Sequence, residues 1–407
     1  MTRLFKKKFT TVAIEDLPRL RSSVKGPIEV AVNSSLNLYI NEGHFRIGEP
    51  VMSSYGTKTN YLSSLHPKTD VRARKAVPEN IKAGFRYHAT IGSDPEFFVE
   101  NADTGEIVPA FELFRSKASK DPCYWDGYQA EFAPLPAACL DAHRGYVAEC
   151  LSYAVRKLRE KGKNLRISVR NTVEIPEIRL LSDHPRFVNF GCKPSFNVYD
   201  EKSPIADADP RAINIRSAGG HIHITLPEEK RTSAYVERVV KSLDAILGVC
   251  SVAMFQKYDD PRRRLYYGRA GEFRITPYGV EYRVLSNAWI IHPVFYNLVY
   301  ELMRRAVSDA LDCGTSPLAI KWAADEQDVR NCINNCDVAL AKGIIKANKA
   351  WLMNRFSSFA EHKHIVRDIL AGLHTRLRNP DVMHCMLSSP SITISGAYSS
   401  GAPLYWD

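Results

Sequence analysis

No stretch of this 407-residue chain approaches the ~20 consecutive apolar residues that a helical membrane span needs. The basic start, MTRLFKKKFTTVAIEDLPRL, lacks the apolar centre of a secretory signal. The cysteines form no framework either: there are nine, an odd number, and they are scattered. A chain of this size does not need disulfide staples. Cys332 and Cys336 stand four apart with no second cysteine or histidine pair near them, so they read as free thiols rather than zinc ligands. No internal repeat is visible, and there is no RNA-binding signature and no basic helix interleaved with aromatics. These absences exclude a helical membrane span, a disulfide scaffold and a solenoid, and leave nucleic-acid binding without support. The expectation is a cytoplasmic protein.

What is present is an ordinary globular composition, 45% hydrophobic and 25% charged. The length exceeds what one core accommodates, since cores stop growing at roughly 250–300 residues. Net charge is +10, which suits nucleic acid, an acidic surface or an anionic substrate. The excess sits in short runs: Lys6 to Lys8; Arg72, Arg74 and Lys75; and Arg262 to Arg264. The first two runs read as solvated tails or linkers. The third adjoins the richest motif region and is expected to face phosphate.

Residues 1–85 are polar and irregular, with short alternating runs at 28–32 and 36–40; they read as an N-terminal appendage or small β unit. A linker is expected near 66–80, where two prolines accompany several charges. Strand patterns dominate 86–290, interrupted by two helical periodicities at 139–161 and 233–255. Residues 291–407 turn helical, with patterns at 293–311, 328–352 and 362–377. Strands arriving in groups rather than alternating with helices predict an α+β fold with an antiparallel sheet.

Four segments bear chemistry. In Ser93-Asp94-Pro95-Glu96 two acids stand two apart, which on a strand places both on one face. Paired buried carboxylates repel, and a hard divalent ion is the simplest relief; for this pair alone, a solvated strand face with a turn at Pro95 fits slightly better. Glu131 sits in an apolar setting, Phe132-Ala133-Pro134-Leu135. Gly219-Gly220-His221-Ile222-His223 puts two imidazoles on one side of a strand, a frequent metal-site arrangement and also an ordinary half-buried face. Finally, Arg264, Arg269, Arg274 and Arg283 accompany Glu272 and Glu281. Guanidinium groups suit phosphate oxygens, although an ion-pair ladder across a hairpin has the same composition.

Taken in order, these segments resemble the glutamine synthetase superfamily, and within it the phage-type COOH–NH₂ ligases (amidoligases) of type 2. Ser-Asp-Pro-Glu-Phe-Phe (93–98) is similar to that superfamily's E-P-E-F-F strand, Gln129-Ala-Glu131 to its Q-x-E strand, Gly-His221-Ile-His223 to G-x-H-x-H, and Glu281-Tyr-Arg283 to E-x-R. The resemblance spans roughly residues 88–290 and implies a glutamine-synthetase-like curved antiparallel sheet with flanking helices. It implies Asp94, Glu96, Glu131, His221 and Glu281 as metal ligands, with Asp94 shorter than the usual glutamate. It implies Arg264, Arg269, Arg274 and Arg283 as the nucleotide-phosphate set, and Arg283, Arg269 and His223 as catalytic residues. A further acid of the family has no match at its usual spacing; Asp126 or Glu112 would substitute. The cofactors implied are ATP and Mg²⁺, with Mn²⁺ as an alternative. In the chemistry implied, ATP phosphorylates a carboxylate and an amine then displaces phosphate to form an amide. The partners are small-molecule or peptide carboxylate and amine substrates, not a membrane, and the oligomeric state is left open.

Two rival readings use the same residues. A metal-dependent hydrolase would activate water with His221, His223, Glu131 and Glu96, and would turn over without ATP. A non-enzymatic basic phage structural or binding protein would show no specific nucleotide affinity.

Overall fold

The computed structural model describes residues 90–356 except 138–139, 162–163, 169, 191–194, 200–207, 257, 291–292 and 313–323, together with Ile369 and four N-terminal strands. The expected linker at 66–80 and the helical pattern at 362–377, apart from Ile369, lie outside the described residues.

The alternating runs near the N-terminus do form strands. β1 (Thr11–Ala13), β2 (Ile28–Val32), β3 (Leu36–Asn41) and β4 (His44–Arg46) make one sheet in that order. β1 runs parallel to β2, and the remaining pairs are antiparallel.

Alternation over 87–100 predicts a single strand, but the residues described there, from 90 on, do not form one. They divide into β5 (Ile91–Ser93), β6 (Glu96–Phe97) and β7 (Val99–Asn101), each in a different sheet. Pro95 accounts for the break, because it offers no N–H to a ladder and restricts the residue before it. Asp94 and Glu96 therefore do not share a strand face, which corrects the simple two-residue reading.

β8 (Ile107–Val108), β9 (Cys123–Asp126), β10 (Gln129–Phe132), β11 (Leu165–Ile167), β12 (Thr172–Glu174), β13 (Phe196–Asn197), β14 (Ile215–Ser217), β15 (Ile222–Thr225), β16 (Glu272–Thr276) and β17 (Gly279–Tyr282) complete the strands among the described residues. The largest sheet runs β13-β16-β17-β15-β5; the smaller ones are β6-β10-β9, β11-β7-β8 and β12-β14. Every pairing in these sheets is antiparallel. The molecule is thus a mixture of helices and antiparallel sheets, as expected, with its strands shared among several small sheets.

α1 (Leu140–Glu160) fills the first predicted helix. Val147, Leu151, Ala154 and Leu158 recur on one side of it and are buried. Two short helices follow, α2 (Glu177–Ser182) and α3 (Pro185–Val188). The second predicted helix is α4 (Ser233–Leu243) continued by α5 (Val249–Phe255), joined through a π-helical turn at Asp244–Gly248. Asp244 is fully buried there and accepts hydrogen bonds from the Tyr282 and Tyr199 hydroxyls and the Gly271 N–H. Burial drives its carboxyl up to about 7 against the pull of those donors. α6 (Pro293–Asp312) packs along α4.

The helical pattern at 328–352 is divided into α7 (Glu326–Asn334), α8 (Val338–Ala347) and α9 (Lys349–Phe356). The chain leaves α7 through Cys336 in a left-handed conformation, and Asp337 then caps α8 by accepting from Leu340 N–H. Cys332 is buried on α7 and both of these cysteines are free thiols. No helix among the described residues is long and apolar enough to cross a membrane.

The central sheet has two unlike faces. Ile222 and Ile224 of β15 and Val280 and Tyr282 of β17 belong to the same buried core as α4, α5 and α6. The alternate residues, His223 and Glu281, point away from that core.

Candidate functional site

The register of the central sheet assembles the first part of the site. His223 on β15 is the direct partner of Glu281 on β17, and Glu281 is the direct partner of Arg274 on β16. On the other side His223 faces Gly92 of β5, which has no side chain to occupy the space beside the imidazole. Asp94 follows immediately after β5 and reaches into this row. Its Oδ2 lies 3.1 Å from His223 Nε2 and its Oδ1 lies 3.1 Å from His221 Nδ1. His221 Nδ1 is also 3.6 Å from Glu281 Oε1. Ligand atoms of Asp94, His223 and Glu281 lie within 4.8 Å of one another, close enough for one ion.

Glu281 is completely buried and held between arginines. Arg274 Nε and Nη2 both donate to Oε2, at 2.6 and 2.5 Å, and Arg283 Nη1 lies 3.2 Å from Oε1. Burial pushes Asp94 up, but His223 and His221 outweigh it and hold its carboxyl below the ordinary range. For His223, the charges of Asp94 and Glu281 overcome burial and raise the imidazole. For His221 burial prevails and lowers it, with Arg283 adding to the effect.

The second part of the site is a knot of acids. Glu131 on β10 and Glu96 on β6 are direct register partners. Asp126, on β9, contributes the third carboxylate, and ligand atoms of the three lie within 4.8 Å of one another. Glu96 and Glu131 are only 2% and 5% exposed, so water relieves little of their repulsion. Burial, and then the Glu131 charge, drive Glu96 well above its usual value. Burial and Asp94 push Glu131 up to about 8, although Lys117 and the Tyr124 hydroxyl act in the opposite direction. Burial raises Asp126 to about 6. A divalent ion would supply the positive charge that this group of carboxylates lacks.

Gly219 joins the two parts. Its carbonyl accepts from Glu96 N–H and its own N–H donates to Glu96 Oε2. Gly220 N–H donates to Leu285 O, and a Cβ on Gly220 would stand 2.3 Å from both Ser286 O and Trp289 Nε1. The glycine pair therefore permits backbone contact on both sides of the His-x-His segment.

Not every residue expected here arrives. Arg264 turns away: it donates to Val284 O and pairs with Asp259, 3.2 Å away. Arg263 donates to Val284 O and Leu285 O, and Arg262 binds Asp260 and Glu174. Arg263 and Arg264 thus brace the chain just after β17, and Arg262 ties its loop to β12, instead of presenting free cations to phosphate. Arg269 lies half-buried in the loop before β16, where its carbonyl accepts from Glu272 N–H. Of the two acids considered as substitutes, Asp126 joins the cluster, while Glu112 pairs with Arg179 at 2.9 Å.

Sequence reasoning did not single out Tyr124, Lys117, Tyr278 or Tyr267. The Tyr124 hydroxyl donates to Glu131, and Lys117 Nζ lies 3.4 Å from the same carboxylate. The Tyr278 hydroxyl is hydrogen-bonded to His223 Nδ1. Beside Lys117 and Tyr124 a cleft of about 450 Å³ opens, walled in part by Pro134, Leu135 and Tyr146.

Residues 210–373 match the family described as Phage phiEco32-like COOH.NH2 ligase-type 2. This is the family that the motifs resemble. The COOH–NH₂ ligase match contains His221, His223, Arg264, Arg269, Arg274, Glu281 and Arg283, and it continues through the C-terminal helices, beyond the reach of the motif resemblance. Asp94, Glu96, Asp126 and Glu131 precede the matched COOH–NH₂ ligase segment; the fold brings them to it. No curated protein matches the chain.

Proposed function

We propose that the protein is an ATP-dependent carboxylate–amine ligase built on a glutamine-synthetase-like core, joining a carboxylate to an amine through an acyl-phosphate intermediate. The observation that carries this reading is the meeting of Asp94, His223 and Glu281 with Glu96, Asp126 and Glu131, beside Arg274 and Arg283. Two sets of hard oxygen and imidazole donors adjoining arginines suit a triphosphate and its Mg²⁺ or Mn²⁺ ions.

The buried, mutually repelling acids fit divalent cations. Bound there, such cations would offset charge on the polyphosphate and the acyl phosphate. Asp94, His223 and Glu281, with His221 at their edge, would hold one; Glu96, Asp126 and Glu131 would hold another. Arg283 and Arg274 would stabilise negative charge that grows on the transferring phosphoryl group. Arg269 would assist from its loop, whereas Arg264 is assigned to support of the chain around β17. The arginine pair on Glu281 favours this reading over a hydrolase, which has no need of it.

The test is phosphate release from ATP in Mg²⁺ across panels of carboxylates and amines. Release that requires ATP, one carboxylate and one amine together supports the ligase. Amide or ester cleavage without ATP would favour the hydrolase instead.

A further inference from the structure

Among the buried polar atoms of the site that have no hydrogen-bond partner among the described residues are His221 Nε2 and the Tyr267 hydroxyl. They converge on one place. A Cβ on Gly219 would stand 2.4 Å from His221 Nε2 and 2.6 Å from Tyr267 Oη. With no Cβ on Gly219, the two polar atoms close over its backbone and face one another across a narrow notch. The rings of His221 and Tyr267 meet edge to face with centroids 5.4 Å apart, which keeps both in place.

Tyr267 is itself firmly held. It is 4% exposed, and the guanidinium carbons of Arg263 and Arg283 lie 4.7 and 5.6 Å from its ring centroid. Arg263 is anchored on Val284 O and Leu285 O, so the stack is fixed from the main chain outward. Nδ1 of His221 is engaged by Asp94 and Glu281. Whichever ring nitrogen bears the proton, Nε2 still presents either a lone pair or an N–H towards the notch. A water satisfies both cases, because it can donate to the lone pair or accept from the N–H; a phosphate oxygen satisfies the N–H case, and either can accept from the tyrosine hydroxyl.

We propose that Tyr267 is a further binding residue of this site, its hydroxyl and His221 Nε2 together holding one oxygen atom over Gly219. That oxygen belongs to a resident water or to a phosphate of the bound nucleotide. The phosphate source rests on the ligase reading; the water source does not.

Tyr267→Phe in the full chain tests this, because it keeps the ring on Arg263 and Arg283 and removes only the hydroxyl. Its melting temperature is compared with the wild type, with and without Mg²⁺ and the β,γ-imido analogue of ATP. Removing a hydroxyl from an empty notch relieves an unpartnered buried group and raises stability, whereas removing it from a filled notch strips the oxygen of a partner and lowers it. A lower melting temperature by the same margin in both conditions identifies water. Analogue affinity weakened by about three- to tenfold, the equivalent of one hydrogen bond, identifies phosphate. A Tyr267→Phe protein that melts at or above the wild-type temperature and binds the analogue equally well overturns the proposal. If the wild-type protein fails to bind the analogue at all, the ligase reading fails, and the melting comparison alone still decides the notch.

Discussion

Glu96 and Glu131 face each other as register partners across two paired strands, both buried, with Asp126 completing the group. Like charges directly opposed on a sheet destabilise it unless something offsets them. The fold tolerates them here because protons or cations can do so.

The sign of the pH effect follows from Glu131. Its carboxyl is raised from 4.5 to about 8, so between those values the folded chain binds more protons than the unfolded one. The stability from this group is fully present below about pH 4.5 and is lost as pH rises towards 8. Glu131→Gln should therefore melt several degrees above the wild type at pH 8 without metal, with the advantage shrinking towards pH 4.5. Added Mg²⁺ should stabilise the wild type more than the variant. Melting curves from pH 5 to 8.5, with and without Mg²⁺, check both statements.

Turnover should depend on Glu281 and His221. Glu281→Gln keeps the side-chain shape but removes the charge shared by Arg274 and Arg283, and His221→Ala removes an imidazole beside Asp94. Each is expected to reduce ATP-dependent phosphate release by about 100-fold or more, the scale seen when a preorganised electrostatic group is lost. Circular dichroism should show both variants folded. Near-normal rates in either would contradict the assigned roles.

The two acids that were equivalent as substitutes in the sequence should behave differently. Asp126→Asn is expected to weaken divalent-cation binding about tenfold or more, because Asp126 joins Glu96 and Glu131. Glu112→Gln should leave it unchanged, since that side chain is half exposed and paired with Arg179. Isothermal titration with Mn²⁺ separates them.

Asp244 lies on the core side, beneath the site. Asp244→Ala leaves the Tyr282 and Tyr199 hydroxyls and the Gly271 N–H without their acceptor. Buried donors left unpaired cost about 1–3 kcal/mol each, so a loss of about 3 kcal/mol or more is expected in urea unfolding. Because Tyr282 lies between Glu281 and Arg283, the same variant should also lower activity.

Much of the site was legible because a β-strand's period of two is visible in its sequence. His223 and Glu281 stood out as polar residues set among apolar neighbours that pack on the helices, and the structure makes them register partners. The two helical periodicities before residue 290 were legible through the helix's own 3.6-residue period, although nothing in the pattern foretold the π turn at Asp244. The turn at Pro95 belonged to the solvated reading of its segment, but the proline separates two buried-site acids, sending Asp94 and Glu96 to different sets of partners. Arg264 also differed, because composition does not distinguish an arginine aimed at phosphate from one that caps main-chain carbonyls. Lys117, Tyr124 and Tyr267 arrive from loops and neighbouring strands, and only the tertiary arrangement brings them in.

The central claim is that two acidic sets hold divalent cations against a nucleotide. Electron paramagnetic resonance of Mn²⁺ with the β,γ-imido ATP analogue tests it most directly, in the wild type, Glu131→Gln and Glu281→Gln. The account predicts at least two bound Mn²⁺ per wild-type chain in the presence of the analogue, and one fewer in each variant. Equal Mn²⁺ binding in all three proteins, or binding indifferent to the analogue, would contradict it.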